Sequence, residues 1–240
     1  SGHYARVEPD PASGRLRLLR GVDRGKDQSY VLFGTPADRL SEMLLPVGGM
    51  PKSEVRALAE RFDLPVFDKP DSQEICFVPN DDYASLVASR STAGVRPGPI
   101  VDASGEVVGE HPGHQHFTIG QRRRVGVAFG RPIYVVSKDP ASNTITIGDR
   151  DDLLAPGCVA SQTNWFVDPP ADWRRCDVRI RYNAEPVPAE IRVEGEGEDW
   201  RLHARFDERQ AAVAPGQAIV CYDDDVVLGG GWIDSASNET

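Results

Sequence analysis

Near residue 97 the patterning of this chain changes from the period of a helix to the period of a strand, and that change limits the folds open to it. Upstream, "PKSEVRALAERF" sets Val55, Leu58, Ala59 and Phe62 at i, i+3, i+4 and i+7, one face of an amphipathic helix that Pro65 stops. Thr35-Pro36 offers an N-cap and first-turn pair for another helix over "ADRLSEML". Asn80 is placed to cap a third over "DDYASLVASR". Beyond "AGVRPGP" (93–99), a linker by composition, helical periodicity ends. "PIVDASGEVVGE", "IYVVSKDPASNTITIG", "AEIRVEGEGEDWRLHARF" and "AIVCYDDDVVLGGGWI" each pair two β-rich runs about a turn. "HYARVE" and "RLRLLR" around "PDPASG" form a further hairpin signal at the start. The expectation is an α+β, multidomain chain with helices largely within 28–92 and a small antiparallel barrel or sandwich from about 97 to 235.

Charge bears on partners. A formal charge of −10 argues against a general nucleic-acid binder, because phosphate wants a basic surface. The basic residues are clustered, however. Arg15, Arg17, Arg20, Arg24 and Lys26 form one group, Arg122, Arg123 and Arg124 a second, and Arg174, Arg175, Arg179 and Arg181 a third. Acid gathers in "EGEGED" (194–199) and "DDD" (223–225). Two readings remain open: a basic face on an acidic body, or ordinary solvated charge. No apolar run approaches the roughly 18 residues of a membrane span, so no membrane is expected. The first residues have neither an initiator Met nor an apolar leader, which predicts a cytoplasmic protein whose chain begins partway through a longer one.

Four cysteines without a CxxC pair suit a reducing compartment better than a disulfide scaffold or a zinc knuckle. "HPGHQH" brings His111, His114 and His116 close in sequence, but no fourth ligand or carboxylate motif accompanies them, and no metal site is expected. Cys158, Cys176 and Cys221 fall in β-rich runs and read as core or strand residues. Cys76 is different. In "KPDSQEICFV" it precedes the Asn80-capped helix, whose dipole would lower a thiol pKa, as would Lys69, while Asp71 and Glu74 oppose both. These features alone leave a reactive thiol and a small core residue both open.

Seven stretches, in order, then point to a family: "SGHYAR" (1–6), "KDQSYVL" (26–32), "LPVGGMPKSEVRALAERFDLP" (45–65), "KPDSQEICFV" (69–78), "FTIGQRR" (117–123), "RIRYN" (179–183) and "APGQAIVCY" (214–222). Together they resemble the tRNA-specific 2-thiouridylases, which replace the C2 oxygen of the wobble uridine with sulfur. The resemblance implies a remnant of an α/β PP-loop (adenine-nucleotide α-hydrolase-like) domain over 1–40. It implies a small helical central domain with Cys76 over 41–96 and a C-terminal antiparallel β-barrel over 97–236. The SGGxDS phosphate loop of that family is absent from these 240 residues. ATP would therefore be bound mainly by a preceding domain, and this chain alone would be inactive as a sulfurtransferase.

The resemblance also assigns residues. Cys76 would carry a persulfide, delivered by a cysteine desulfurase or a sulfur-donor relay protein. A second cysteine, outside this chain, would release the sulfur by forming a disulfide with it. Gly2 would lie at the ATP site, where a missing side chain lets nucleotide approach. His3, Lys26, Asp27, Gln28, Arg181, Tyr182 and Gln217 would contact tRNA. Arg124 stands where the family usually has glycine, so a different local turn or an added phosphate contact is expected there. A monomer is expected. The rival readings are a stand-alone RNA-binding module and a sulfur-relay protein without uridine-activating activity.

Overall fold

The computed structural model describes residues 1–65, 95–195 and 199–237. The readings at Cys76 and at the helix over 81–90 lie outside the described residues.

The chain opens with the expected hairpin, β1 (Ala5–Pro9) against β2 (Leu16–Arg20), with Val7 opposite Leu18. Its turn is made by Asp10. That carboxylate accepts from the backbone of Ala12 and Ser13 and from the Ser13 hydroxyl, and these bonds hold its pKa below the usual carboxylate value. After a 3-10 turn come α1 (Ser29–Leu32) and, later, α2 (Lys52–Arg61). The helix expected over "ADRLSEML" is a 3-10 turn over Ala37–Glu42. Pro36 takes the cap position and has no side-chain acceptor to offer, and Leu40 is the one core anchor in those six residues. The α2 face predicted from periodicity exists, but Val55, Leu58 and Ala59 are half-buried and Phe62 is exposed.

Beyond residue 97 the described residues form strands and 3-10 turns, with no α-helix among them. All four predicted strand pairs are present. The strands divide between two sheets, however, instead of closing into one barrel over 97–236. The first sheet is β3 (Gly98–Val101), β4 (Val107–His111), β5 (Tyr134–Asp139) and β6 (Thr144–Gly148), ordered β4-β3-β6-β5. A parallel β3–β6 pairing joins its two hairpins. Ile100, Phe117, Val125, Ile133, Val135, Ile145 and Ile147 give it a core of its own, which is why it closes separately.

The second sheet holds the barrel: β7 (Leu154–Trp165), β8 (Arg174–Arg179), β9 (Val187–Glu194), β10 (Arg201–Ala211), β11 (Ala218–Asp223) and β12 (Val226–Ser237). Its order is β12-β11-β8-β9-β10-β7, and β7 pairs with β12 again to close the ring. The β1–β2 hairpin joins through Leu19 opposite Val226. Because the N-terminal segment covers one face of β11, "AIVCY" is buried on both faces. Ala218, Val220 and Tyr222 pack with Leu18, Tyr30 and Phe33, and Ile219 and Cys221 are also fully buried. Glycine in β12 permits this crowding. A Cβ on Gly230 would lie 2.4 Å from the Ile219 carbonyl oxygen and 2.9 Å from the Phe33 ring.

The chain divides into two compact units. One comprises residues 1–69, 156–209 and 214–240, and the other 70–155 and 210–213.

Candidate nucleic-acid interface

The motif "KDQSYVL" places Asp27 just before α1, where its carboxylate is buried and fully used. Oδ1 accepts from the backbone N–H groups of Gly21 and Ser29, each at 3.1 Å. Oδ2 accepts from the Ser29 hydroxyl, from Arg20 Nε at 3.3 Å and from Arg179 at 3.1 Å. Asp27 is 3% exposed. A carboxylate with every lone pair engaged inside the protein positions its neighbours.

What it positions is Arg179, a residue the motif contained but sequence reasoning passed over. Its guanidinium pairs with Asp27, donates from Nε to Ala184 O at 2.8 Å and donates to Tyr182 O at 2.5 Å. The cation also faces the rings of Tyr30 and Tyr182, at 5.7 and 5.9 Å from their centroids. The loop after β8 therefore hangs from one buried ion pair, and that loop carries Arg181 and Tyr182, both exposed. Desolvation pushes Tyr30 and Tyr222 up to about 12, so both remain neutral phenols at ordinary pH. The Tyr30 hydroxyl donates to Ala218 O at 2.8 Å.

These anchors surround a cavity of about 340 Å3. Tyr30, Phe33, Gly34 and Ala218 form part of its lining, together with Val31, Tyr182 and Trp232. Arg181 and Gln217 also line it, which brings three of the predicted residues together. Phe33 is held by the barrel, because Asn164 donates its side-chain amide to Phe33 O and Thr35 O at 2.5 and 2.8 Å. Trp232 meets the Phe33 ring edge-on at 5.5 Å. Val31, Phe33 and Trp232 were missed in the sequence because each reads as an ordinary core residue of a helix or strand.

The remaining predicted residues lie nearby in the chain path. Gln28 accepts from Tyr4 N through its side chain at 3.1 Å, and its own N–H donates to Tyr4 O. This fixes the segment that follows His3, whose Nδ1 contacts the Ser1 hydroxyl. Lys26 is half-buried at the end of the 3-10 turn Arg24–Lys26. Gly2 is exposed, and the space a side chain would fill is open.

Arg124 adopts φ +60°, so the expectation of a different turn is corrected. The left-handed geometry is kept by Gln121, which accepts from Thr118 N and donates to Arg123 O. Arg122, Arg123 and Arg124 are all exposed. His111 is 1% exposed and donates from Nε2 to Asn143 O at 3.0 Å, while His114 bonds the Asn143 side chain. Among the described residues, no group of three or more His, Cys, Asp or Glu is placed to hold a metal. Cys158 and Cys221 are buried strand residues. Burial pushes Cys158 up to about 12, and a hydrogen bond with Cys176 together with burial pushes Cys221 well up.

Comparison with known proteins agrees with this architecture. Residues 1–80 match the family described as tRNA methyl transferase HUP domain, residues 90–149 the tRNA methyl transferase PRC-barrel domain, and residues 156–233 the aminomethyltransferase beta-barrel domain. Fold and matches together define an α+β chain of the kind in which an HUP-type region is followed by two β domains. A protein of Rhodopirellula baltica named tRNA-specific 2-thiouridylase MnmA is 48% identical over 98% of this chain and 59% of its own length. Proteins of the same name from Geotalea uraniireducens and Carboxydothermus hydrogenoformans are each 45% identical, over 99% and 98% of this chain and 62% and 64% of theirs. The chain belongs to the tRNA-specific 2-thiouridylase family. It spans about three-fifths of the length of these relatives.

Proposed function

We propose that this chain is the C-terminal part of a tRNA 2-thiouridylase, an ATP-dependent sulfurtransferase acting at C2 of the wobble uridine. In this reading residues 1–40 end the ATP-binding domain, 41–96 carry Cys76, and the β-rich region over 97–236 binds tRNA. The residues that activate ATP lie in sequence beyond these 240. Supporting this is the convergence of Arg181, Tyr182 and Gln217, drawn from motifs 35 residues apart, on one aromatic cavity of a chain with this family membership.

Oxygen at C2 of uracil is a poor leaving group, so the reaction needs adenylation of that oxygen, with pyrophosphate released. The terminal sulfur of a Cys76 persulfide then adds at C2 and AMP departs with the oxygen. A second cysteine of the preceding domain attacks the Cys76 sulfur, forming a disulfide and leaving sulfur on C2. The donor is a cysteine desulfurase or a relay protein, and reductant must restore both thiols.

Treatment of this chain with a cysteine desulfurase and cysteine should add one sulfur atom to its intact mass, and Cys76→Ser should abolish the adduct. Iodoacetamide should label Cys76 faster than Cys158 and Cys221, whose raised pKa values leave little thiolate. In the full-length enzyme, Cys76→Ser should eliminate 2-thiouridine formation and leave tRNA binding near normal. A full-length Cys76→Ser enzyme that still thiolates would sink the mechanism. A wild-type chain that binds tRNA yet takes no sulfur would be an RNA-binding module.

A further inference from the structure

We propose that the cavity between Tyr182 and Trp232 takes one unstacked nucleobase of the bound RNA; this rests on the tRNA reading above. Backbone contacts alone would not require such a site. Phosphate recognition uses cations and N–H donors, yet this cavity is lined mainly by aromatic and aliphatic groups, with Arg181 as its cation. Trp232 and Tyr182 leave 44% and 40% of their surface exposed, and Val31 leaves 49%. Aromatic faces of that kind are what single-stranded RNA uses when a base leaves the helical stack.

The polar groups narrow the choice further. Gln217 Oε1 is buried and has no hydrogen-bond partner. It is an acceptor, so its complement must present an N–H or O–H. Nucleobase edges carry N–H donors, whereas a phosphodiester and an aliphatic side chain carry none. Arg181 can then meet the phosphate attached to the inserted nucleotide. About 340 Å3 accommodates a base with its sugar at the mouth. The site is also preorganised: Arg179 holds the Tyr182 carbonyl, Asn164 holds the Phe33 carbonyl, and Phe33 braces Trp232.

The test uses the 240-residue chain with a tRNA transcript and, separately, with the four nucleoside 5′-monophosphates and ribose 5-phosphate. Trp232→Leu and Tyr182→Ala should each weaken tRNA binding about tenfold, the loss expected for one stacking face. Neither should alter the slope of log K against log salt, because no phosphate contact is removed. Arg181→Ala should reduce that slope by about one. Nucleoside monophosphates should quench tryptophan emission in the wild type and not in Trp232→Leu, and ribose 5-phosphate should do nothing. Both rings are part-exposed, so the variants keep their fold, and unchanged far-UV circular dichroism checks this; should one fail, the other carries the test. Wild-type tRNA affinity in both variants, or no nucleotide quenching, overturns the base pocket even where tRNA binds. Nucleotide quenching without tRNA binding keeps the pocket and removes the tRNA reading.

Discussion

In the unit that holds the barrel, a carboxylate, two guanidinium groups and two phenols sit among aliphatic side chains. Asp27 meets Arg20 and Arg179, Ser29 meets Tyr222, and Tyr30 meets the Ala218 carbonyl. In the unit that holds β3 to β6, the core is aliphatic and aromatic, His111 is its buried ionisable side chain among the described residues, and the arginines lie outside. The first arrangement fixes where particular side chains stand, at the cost of desolvating charge; the second only has to stay closed. Arginine thus has two meanings here. Arg179 is part of the scaffold, and Arg122, Arg123 and Arg124 are surface.

The largest expected effect breaks the scaffold ion pair. Asp27→Asn keeps the shape but leaves Arg20 and Arg179 without their counter-charge, and it should cost about 3–5 kcal/mol in urea unfolding. A loss under about 1 kcal/mol would mean that the pair contributes no more than a surface bridge.

Next comes pH, where the units should fail at opposite ends. The folded pKa values of Tyr30 and Tyr222 are raised from 10.0 to about 12. Their stabilising share is therefore whole below pH 10 and lost as pH rises through 12. Burial lowers the pKa of His111 below 6.5, so its share is whole above that value and lost as pH falls through the folded pKa. Unfolding followed by hydrogen exchange, resolved by unit, should show alkali opening the barrel unit first and acid the other. The reverse order would undo the comparison.

A smaller effect is expected at Arg124. Arg124→Gly relieves a left-handed residue at φ +60° and should stabilise the chain by about 0.5–1 kcal/mol, read as a rise in Tm. The smallest belongs to Arg122→Ala with Arg123→Ala, which should change stability by less than about 0.5 kcal/mol. Destabilisation by several times that amount would show these arginines to be scaffold after all.

Much of the fold was legible because it rests on period and turn chemistry. "PDPASG", "DASGE" and "DPASN" announce their hairpins through Asp, Asn, Ser and Gly. β7 was legible only as a β-rich run about Cys158, without bounds, because Pro156 and Gly157 stand near its start and Gln162 and Asn164 near its end, residues that read as loop. β8 was likewise legible only as a β-rich run about Cys176, because "RRCDVR" mixes charge with small apolar groups in only six residues. Arg181, Tyr182 and Gln217, singled out through motifs, line one cavity. The burial of Asp27 was not legible, because sequence shows a carboxylate between two polar residues and cannot show that the end of β2 and the end of β8 converge on it. Arg179 escaped for the same reason.

The closing of the ring by β12 has a further consequence, in the order of assembly. β12 must pair with β7, some 70 residues behind it, and with Leu19, some 200 behind, before the barrel unit has its walls. The four strands of the other sheet all lie within residues 98–148, and its core residues within 100–147. On a ribosome that sheet can close while the barrel strands are still unmade, and the N-terminal hairpin must wait, its apolar face uncovered, until almost the last residues of this chain emerge. The cavity is therefore the last thing to exist: an incomplete chain presents neither the Trp232 wall nor the settled Tyr182 loop.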